Sequence, residues 1–423
     1  MITSSPAIVN KRTGIPPILI IGVLFFIFGF VTWLNSVLIP YLKMACELNN
    51  LESYLVAGAF YISYFVMAIP SGALLKYTGF KKGMALGLLV MAIGALVFIP
   101  AAATRVYLLF LLGLFIQGTG LAILQTASNP YITVLGPAES AARRISIMGV
   151  CNKVAGAIAP VVLGAITLKG ADELKAQLKI MTAAQRATAL NELSSRVIIP
   201  YVVMIVVLLL LTVWVYRSPL PEIDTEHEDE VLLAANSNKR SIFQFPHLLL
   251  GVLALFLYVG VEVMAGDTII NYGVSQGISL ATARFFSTIT LSCMIVGYLV
   301  GIVCIPRYFT QDMALRVAAL LGVVFGLLAV FTHGLLSVLL IALMGLANSL
   351  MWPALWPLAL AGLGRFTKSG SSLLIMGIAG GAILPIVYGA LADAYDTRHA
   401  YLVMVPAYLF IWWYAARGHK IRK

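Results

Sequence analysis

Charged residues are scarce in this chain: of its 423 residues, only 11% are Asp, Glu, Lys or Arg, while 61% are hydrophobic. A soluble domain of this length would need far more charge to cover its surface. The hydrocarbon core of a bilayer is about 30 Å thick, so each helical crossing needs about 20 mostly apolar residues. The sequence supplies such runs almost from end to end. The composition therefore excludes a soluble globular protein and predicts an all-α membrane protein.

Cysteine and histidine are also rare. The four cysteines lie far apart and mostly inside apolar segments, so their spacing predicts neither a disulfide framework nor a metal site. The five histidines fall at the ends of apolar runs or in loops, without the ligand or base spacing of an enzyme. A sensor would carry an added soluble domain, for which the longest loop, 217–245, is too short. We expect no metal and no cofactor, with H+ or Na+ as candidate coupling ions.

The formal net charge is +11, but the basic residues form no patch that could bind a nucleic acid. They lie singly or in pairs at the ends of apolar runs, mostly in predicted inner loops, as the positive-inside rule expects. Lys11 and Arg12 precede an apolar stretch without a cleavage site, which predicts a retained first span. This asymmetry predicts a bacterial inner-membrane protein with the lipid bilayer as its partner and both termini in the cytoplasm. The short predicted outer loops hold only Lys43, Arg105, Arg284 and Arg398.

Twelve apolar runs are long enough to cross a membrane. The connection 168–196 has helical patterning and is predicted to form a surface helix on the outer side. The connection 217–245 is acidic, polar and contains proline, which predicts a cytoplasmic linker. The predicted domains are an N-terminal six-helix bundle (1–216), the linker (217–245) and a C-terminal six-helix bundle (246–423). The predicted spans are 17–40, 52–75, 83–102, 106–134, 144–167, 197–216, 247–271, 279–304, 311–332, 335–362, 370–392 and 399–416.

Short motifs recur between the two halves. Gly156-Ala-Ile-Ala-Pro160 in the fifth span matches Gly381-Ala-Ile-Leu-Pro385 in the eleventh, and Asn129-Pro130 in the fourth corresponds to Trp352-Pro353 in the tenth. The offsets are 225 and 223 residues, and both place equivalent spans together. A duplicated six-helix unit is similar to the architecture of major facilitator transporters, in which a central site alternates access. The repeat therefore predicts two pseudo-symmetric halves around one site.

Amide side chains recur at membrane depth on several predicted spans. Gln125 and Asn129 lie four residues apart in the fourth span and share one helix face. In the first span, Phe28, Thr32 and Asn35 form a second such face. Polar side chains in a bilayer are costly and usually face a cavity or a partner helix. The two alternatives are therefore a substrate cavity, which we favour, and hydrogen bonds between helices.

The tenth span combines amide and indole groups, because Asn348, Trp352 and Trp356 recur every fourth residue. Aromatic rings stack on the apolar face of a pyranose while amides satisfy its hydroxyls, so this combination suits a neutral sugar. The alternative is that the tryptophans belong to a membrane-interface belt. The predicted sugar-binding residues are Asn35, Gln125, Asn129, Asn152, Glu262, Asn271, Asn348, Trp352 and Trp356.

Three charged residues fall inside predicted spans. Lys153 lies in the middle of the fifth span, Glu262 lies past the centre of the seventh, and Asp267 lies nearer its outer end. A buried acid in a transporter is the natural carrier of a proton or a cation, so all three are predicted ion-coupling residues. The alternative is a structural ion pair between Lys153 and a carboxylate of the other half, either Glu262 or Asp267.

The loop after the second span reads Gly72-Ala-Leu-Leu-Lys-Tyr-Thr-Gly-Phe-Lys-Lys-Gly83. It is similar to the major facilitator signature between spans two and three, in which a glycine, an acidic position, a second glycine and basic residues follow one another. Lys76 occupies the acidic position here. The resemblance implies a conformational gating loop made of Gly72, Lys76, Gly79, Lys81 and Lys82.

Longer motifs resemble one family. Leu124-Gln-Thr-Ala-Ser-Asn-Pro-Tyr131 resembles the fourth-span signature of the fucose–galactose–glucose–hexose:proton symporters, and Leu34-Asn-Ser-Val-Leu-Ile-Pro40 resembles their first-span motif. Residues 258–267 and 149–153 are similar to a branch of glucose/galactose or N-acetylglucosamine permeases. The likeness covers nearly the whole chain. It implies a monomeric sugar importer with the major facilitator fold of twelve transmembrane helices, working by alternating access.

Two positions depart from that family. Fucose permeases carry an aspartate in the first-span motif and a glutamate in the fourth-span motif, and both are implicated in proton coupling. The corresponding residues here are Ser36 and Gln125. The resemblance therefore leaves Glu262 as the best acidic candidate, with Lys153 as a fixed positive charge. Proton symport, sodium symport and uniport stay open, and an N-acetylated amino sugar competes with glucose or galactose as the substrate.

Overall fold

The computed structural model of the chain describes residues 16–134, 141–220, 241–305, 308, 310–363 and 366–422. Within these ranges the backbone is almost entirely helical and contains no strand. Twelve helices are long and apolar enough to cross a membrane. A bilayer offers no water to backbone groups, so helices, which pair their own N–H and C=O groups, are the expected structure. The prediction of twelve helical spans is confirmed.

Six of these spans precede residues 221–240 and six follow them. The predicted linker 217–245 falls mostly on 221–240, which lie outside the described residues; its described end contains a short 3-10 turn, Ile242–Gln244. Spans 1 to 12 are Pro17–Ala45, Asn50–Leu75, Tyr77–Thr104, Tyr107–Asn129, Ile147–Thr167, Ala183–Arg217, Pro246–Ser275, Leu280–Cys304, Gln311–Phe331, Gly334–Leu360, Ser369–Ala394 and His399–Lys420.

The predicted surface helix between spans 5 and 6 is present as two helices, Ala171–Gln177 and Ala183–Ser195. The second begins with a capping box, in which Thr182 and Gln185 each bond the other's backbone N–H. The Tyr41 hydroxyl of span 1 donates to the carbonyl oxygens of Leu193 and Ser194, at 3.0 and 2.7 Å. The surface helix therefore packs against the end of span 1, and only Ile198–Arg217 forms the crossing part of span 6.

Spans 1, 7, 10 and 11 are interrupted along their length, and in span 11 the interruption is a 3-10 turn, Gly377–Ala379. Span 1 consists of Pro17–Trp33 and Asn35–Ala45, and it continues past its predicted end at residue 40 because Pro40 is accommodated inside the helix. Span 7 contains a π-helical turn, Met264–Thr268. In span 10, one helix ends at Asn348 and the next begins at Met351. Interrupted helices in membrane proteins are tolerated where they line a site or are buried in protein.

Glycines set the close packing of spans 3 and 4. A Cβ atom on Gly94 would lie 2.5 Å from the backbone nitrogen of Gln117, and a Cβ atom on Gly120 would lie 2.5 Å from the carbonyl oxygen of Gly87. Helix association in lipid depends on such close contacts, which larger residues would prevent. The turn between spans 2 and 3 also requires glycine, since Gly79 has a φ of 72°.

The two halves meet along spans 2 and 11 and along spans 5 and 8. Hydrogen bonds between them cluster at the end of the bundle where span 5 ends and span 8 begins. There, Arg284 Nη1 donates to the carbonyl oxygen of Gly164 at 3.2 Å, and Thr288 Oγ1 donates to that of Ala157 at 2.8 Å. The rings of Tyr54 and Tyr388 also meet edge to face, with centroids 5.4 Å apart. These contacts hold that end of the bundle closed.

Candidate functional site

An ion pair joins the two halves at the centre of the bundle. Lys153 Nζ of span 5 lies 2.9 Å from Glu262 Oε1 of span 7, and the two side chains are only 10% and 11% exposed. The pairing that the sequence left open is therefore made with Glu262. The pair is therefore a direct electrostatic link between the halves. Separating its members would leave each charge unpaired at this depth, which is strongly unfavourable.

Aromatic side chains surround this pair. The ring of Trp33 lies under the lysine, with Nζ 4.5 Å from its centroid. Tyr258, one turn before Glu262 on the same span, lies near its carboxylate. Tyrosines of three further spans lie within electrostatic range of the same carboxylate, namely Tyr61, Tyr298 and Tyr408. None of these tyrosines was a predicted site residue, although Tyr61 and Tyr64 lie three residues apart on one face of span 2, a spacing that could have indicated them.

The π-helical turn of span 7 carries Asp267. This residue has no exposed surface, and neither carboxyl oxygen has a hydrogen-bonding partner among the described residues. It lies within electrostatic range of Glu262 and Lys153. A wider turn changes which residues share a helix face, and it places Asp267 in the same charged region as Glu262 although five residues separate them.

The predicted amides of spans 4 and 5 have few partners. Gln125 Nε2 donates to the Tyr64 hydroxyl at 3.2 Å, and the Tyr64 ring stacks on Tyr61 at 6.4 Å between centroids. Asn129, one turn from Gln125, is half-buried. Asn152 Nδ2 makes a long hydrogen bond of 3.5 Å to the Phe25 carbonyl oxygen. Amides with spare donors and acceptors beside aromatic rings can receive the hydroxyl groups of a ligand.

The two tryptophans of span 10 stack on each other. Their centroids are 5.4 Å apart, with 23° between the ring planes, and both residues are half-buried. The Trp352 ring also lies 6.4 Å from that of Tyr258, which connects this stack to Glu262. The predicted stripe of Asn348, Trp352 and Trp356 crosses an interruption of the helix at Ser349 and Leu350. Asn348 is buried and accepts a hydrogen bond from the Tyr408 hydroxyl at 2.8 Å.

Two predicted contacts lie apart from this group. Asn35 is fully buried, and neither of its amide atoms has a partner in the part of the chain that the structure describes. The expected single face of Phe28, Thr32 and Asn35 is interrupted at Leu34, where the two helices of span 1 meet. Asn271 lies beside Tyr54 of the other half, near the closed end of the bundle.

The gating-loop residues are described in part. Gly79 supplies the turn, and a Cβ atom on Gly72 would meet nothing within 4 Å. Lys81 is half-buried and Lys82 is exposed, while the side chain of Lys76 lies outside what the structure describes. Among the described residues, no group of three His, Cys, Asp or Glu side chains could hold a metal ion.

Comparison with known proteins identifies the family. The sequence model of the Major Facilitator Superfamily matches residues 21–376. A glucose/galactose transporter of Brucella abortus biovar 1 (strain 9-941) is 36% identical over 400 residues, covering 94% of this chain and 92% of that protein. The L-fucose-proton symporter of Escherichia coli (strain K12) is 32% identical over 390 residues, covering 91% of this chain and 89% of that protein.

The architecture is also that of a solved family member. The crystal structure of the major facilitator transporter FucP in its outward conformation superposes with a TM-score of 0.73 at 30% identity, covering 96% of this chain and 99% of that one. The predicted fold class is confirmed. These relatives are transporters, so the expectation of transport rather than enzymatic catalysis is confirmed as well. With a family match over most of its length, the chain belongs to the Major Facilitator Superfamily.

Proposed function

We propose that this chain imports a hexose such as glucose or galactose together with a proton, by alternating access between its two halves. The observation that carries the proposal is the buried Lys153–Glu262 pair, which joins the halves and whose carboxylate a single proton can neutralise. The substrate and the ion are those in the names of the relatives, a glucose/galactose transporter and an L-fucose-proton symporter.

The sugar would lie between the halves, beside the ion pair. The Trp352 and Trp356 stack offers a ring face for the apolar side of a pyranose, while Gln125, Asn129 and Asn152 offer amide donors and acceptors. Asn35, Asn271 and Asn348 are buried or lie at the seam in this state, so we place them as contacts that the sugar reaches as the halves move.

Coupling would start at Glu262. A proton that binds its carboxylate makes a neutral acid, and Lys153 then loses the negative partner that holds it to the other half. Asp267 is the second acid in reach of this lysine, and we propose it as the alternative partner or proton site. Proton binding would thus weaken one contact between the halves, and the sugar would supply others.

The same comparison supports a proposal for the arrangement in the membrane. We propose that the protein lies in the bacterial inner membrane with both termini in the cytoplasm, as a monomer that binds no nucleic acid. Residues 1–216 and 246–423 would move as two bodies joined by the cytoplasmic linker 217–245. The loop of Gly72, Lys76, Gly79, Lys81 and Lys82 would help to gate the cytoplasmic side.

Counterflow in proteoliposomes tests the substrate. Vesicles loaded with unlabelled sugar should accumulate labelled glucose or galactose transiently, and a panel with L-fucose and N-acetylglucosamine ranks the alternatives. Coupling is tested separately with a pH electrode, because sugar added outside de-energised vesicles should raise the external pH if protons accompany it. Counterflow without any pH change would make the protein a uniporter, and counterflow of none of these sugars would overturn the proposal.

A further inference from the structure

The ring of Trp33 fills a narrow space between a glycine of span 5 and a glycine of span 7. Trp33 ends the first helix of span 1 and is only 2% exposed. Its ring lies between two glycines, one from each half: a Cβ atom on Gly156 of span 5 would lie 2.3 Å from Cδ1, and one on Gly266 of span 7 would lie 2.2 Å from Cζ3. Both glycines are therefore required for the ring to fit. The indole thus contacts both halves at once.

The same ring contacts the charge of the proposed coupling site. Lys153 Nζ has two partners here, Glu262 Oε1 at 2.9 Å and the Trp33 ring face at 4.5 Å from the centroid. The indole N–H has no hydrogen-bonding partner among the described residues, so the ring is held by packing and by the cation rather than by a hydrogen bond of its own. A desolvated ammonium is attracted to the negative face of an indole.

We propose that Trp33 is a positioning residue for proton coupling, which holds Lys153 in place when a proton has neutralised Glu262. This inference rests on the proposed function. An ammonium beside a neutral acid has lost its counter-charge, and the groups left to compensate it are the indole face and the carboxyl of Asp267. The carboxylate partly neutralises the ammonium in the ion pair, so the ring contributes more to the protonated state than to the paired one. Trp33 therefore raises the proton affinity of the pair.

The position of the Trp33 ring also links the proton affinity of the ion pair to the conformation of the protein. Gly156 and Gly266 hold the ring from opposite halves, so the ring is enclosed on both sides only while the halves stay together around it. When span 7 moves away from span 5, the ring loses one wall and Lys153 loses its carboxylate. The cation is then exposed to the cavity instead of being held by Trp33.

The test compares Trp33→Leu with Trp33→Phe. The matched control is Trp412→Leu, which replaces an exposed tryptophan on span 12. Sugar-driven proton uptake is measured in proteoliposomes across a pH series. We expect Trp33→Leu to move the midpoint about one pH unit lower, and Trp33→Phe to move it about half as far. Counterflow should persist in both. An unchanged midpoint in folded Trp33→Leu would overturn the proposal, as would loss of sugar binding without a shift, which would make the ring a sugar contact.

A second measurement does not depend on transport. The unfolding temperature in detergent is followed against pH for wild type and Trp33→Leu, and again in the Glu262→Gln background. The pH-dependent difference that Trp33 makes should disappear when Glu262 cannot titrate. If it persists there, Trp33 acts through another group and the proposal fails. If the protein proves to be a uniporter, this cycle still reports on Trp33, so the two failures are distinguishable.

Two aspartates reach across the interface at the closed end of the bundle. Asp393 Oδ2, at the end of span 11, accepts from the Leu51 backbone N–H at 2.7 Å, and its Oδ1 accepts from Asn50 Nδ2 at 2.6 Å. Asp172, which follows span 5, accepts from the backbone N–H groups of Leu280 and Ala281 at 2.9 and 3.0 Å. Each carboxylate thus caps the first turn of a span in the other half, where free N–H groups carry partial positive charge.

These two contacts are equivalent under the duplication. Span 5 corresponds to span 11, and span 2 corresponds to span 8. The contact between a carboxylate and the start of a span in the other half therefore occurs twice, once from each half. From this we infer that Asp172 and Asp393 are a pair of latches that hold this end closed, and that both must open when the protein exposes its site on that side. This second inference depends only on alternating access and not on the sugar or the ion.

Spin labels across that end test the latches. Cysteines at Thr104 in span 3 and Phe331 in span 9 carry the labels, in a background without the four native cysteines. Asp172→Asn and Asp393→Asn should each raise the ratio of open to closed molecules about threefold to tenfold, and the double variant should raise it further. Glu173→Gln, which removes the adjacent exposed charge, should leave the distances unchanged. Unchanged distances in the folded single and double variants would overturn the inference.

Discussion

Replacing Glu262 by glutamine removes the charge of the central ion pair while keeping nearly the same side-chain shape. At 2.9 Å and an effective dielectric constant of about 20, the attraction between Lys153 and Glu262 is about 6 kcal/mol before desolvation is subtracted. Removing one partner of a buried pair costs about 3–5 kcal/mol, because the other charge is left uncompensated. We therefore expect Glu262→Gln to be less stable than wild type, with a lower unfolding temperature in detergent.

The transport consequence follows from the same geometry. Glutamine cannot bind and release a proton, so accumulation of sugar against a gradient should be lost in Glu262→Gln. Counterflow should persist, since it needs only sugar binding and the movement of the halves. Uptake driven by an imposed pH gradient and counterflow are measured side by side in proteoliposomes. Glu173→Gln, which removes an exposed carboxylate on the surface helix, is the matched control.

A double variant separates stability from coupling. Lys153→Gln in the Glu262→Gln background removes the uncompensated charge, so the unfolding temperature should recover while accumulation stays lost. The reasoning is refuted if Glu262→Gln still concentrates sugar with an unchanged dependence on pH. Loss of counterflow together with accumulation would assign Glu262 to sugar binding instead.

Substitutions at four further positions test the rest of the site. Gln125→Ala and Asn129→Ala should each weaken sugar binding by about 1–3 kcal/mol, since each amide makes about two hydroxyl hydrogen bonds worth about 0.5–1.5 kcal/mol apiece. Calorimetry on the folded variants measures this, and wild-type affinity would show that the amides only join helices. Trp352→Ala should raise the apparent KM for sugar and Trp352→Phe should largely restore it, because stacking needs a ring more than an N–H; an equal KM in folded alanine and wild-type protein contradicts this. Asp267→Asn should reduce accumulation without lowering the unfolding temperature, because the carboxyl has no hydrogen-bonding partner among the described residues; full accumulation in this variant would exclude Asp267 from coupling.

The fold was predictable because each span is indicated by a continuous stretch of the sequence. An apolar run of sufficient length predicts a crossing wherever it occurs, and the helical patterning of 168–196 correctly predicted surface helices between spans 5 and 6. The first span was predicted to end at residue 40, whereas the helix accommodates Pro40 and continues to Ala45.

The site was predictable only in part, because periodicity gives the face of one helix but not how that helix is rotated against its neighbours. Lys153 and Glu262 were both singled out as buried charges, yet their pairing joins positions 109 residues apart that no local pattern relates. The tyrosines around Glu262 lie on four different spans, and in sequence each reads as an ordinary aromatic residue of a membrane helix. The interruption of span 10 at Ser349 and Leu350 was likewise not expected from the regular spacing of its polar and aromatic residues.

The two positions at which fucose permeases carry acids show why the charge lies elsewhere in this chain. Ser36 is buried and donates to the Trp33 carbonyl oxygen at 2.8 Å, so it is bound to its own helix. Gln125 bonds Tyr64 within the same half. Neither residue spans the interface, whereas Glu262 meets Lys153 across it. A proton that binds within one half must act on the other half indirectly, but a proton that binds Glu262 removes a contact between the halves in the same event. In the proposed mechanism, the ion pair would thus join proton binding and the movement of the halves through one contact.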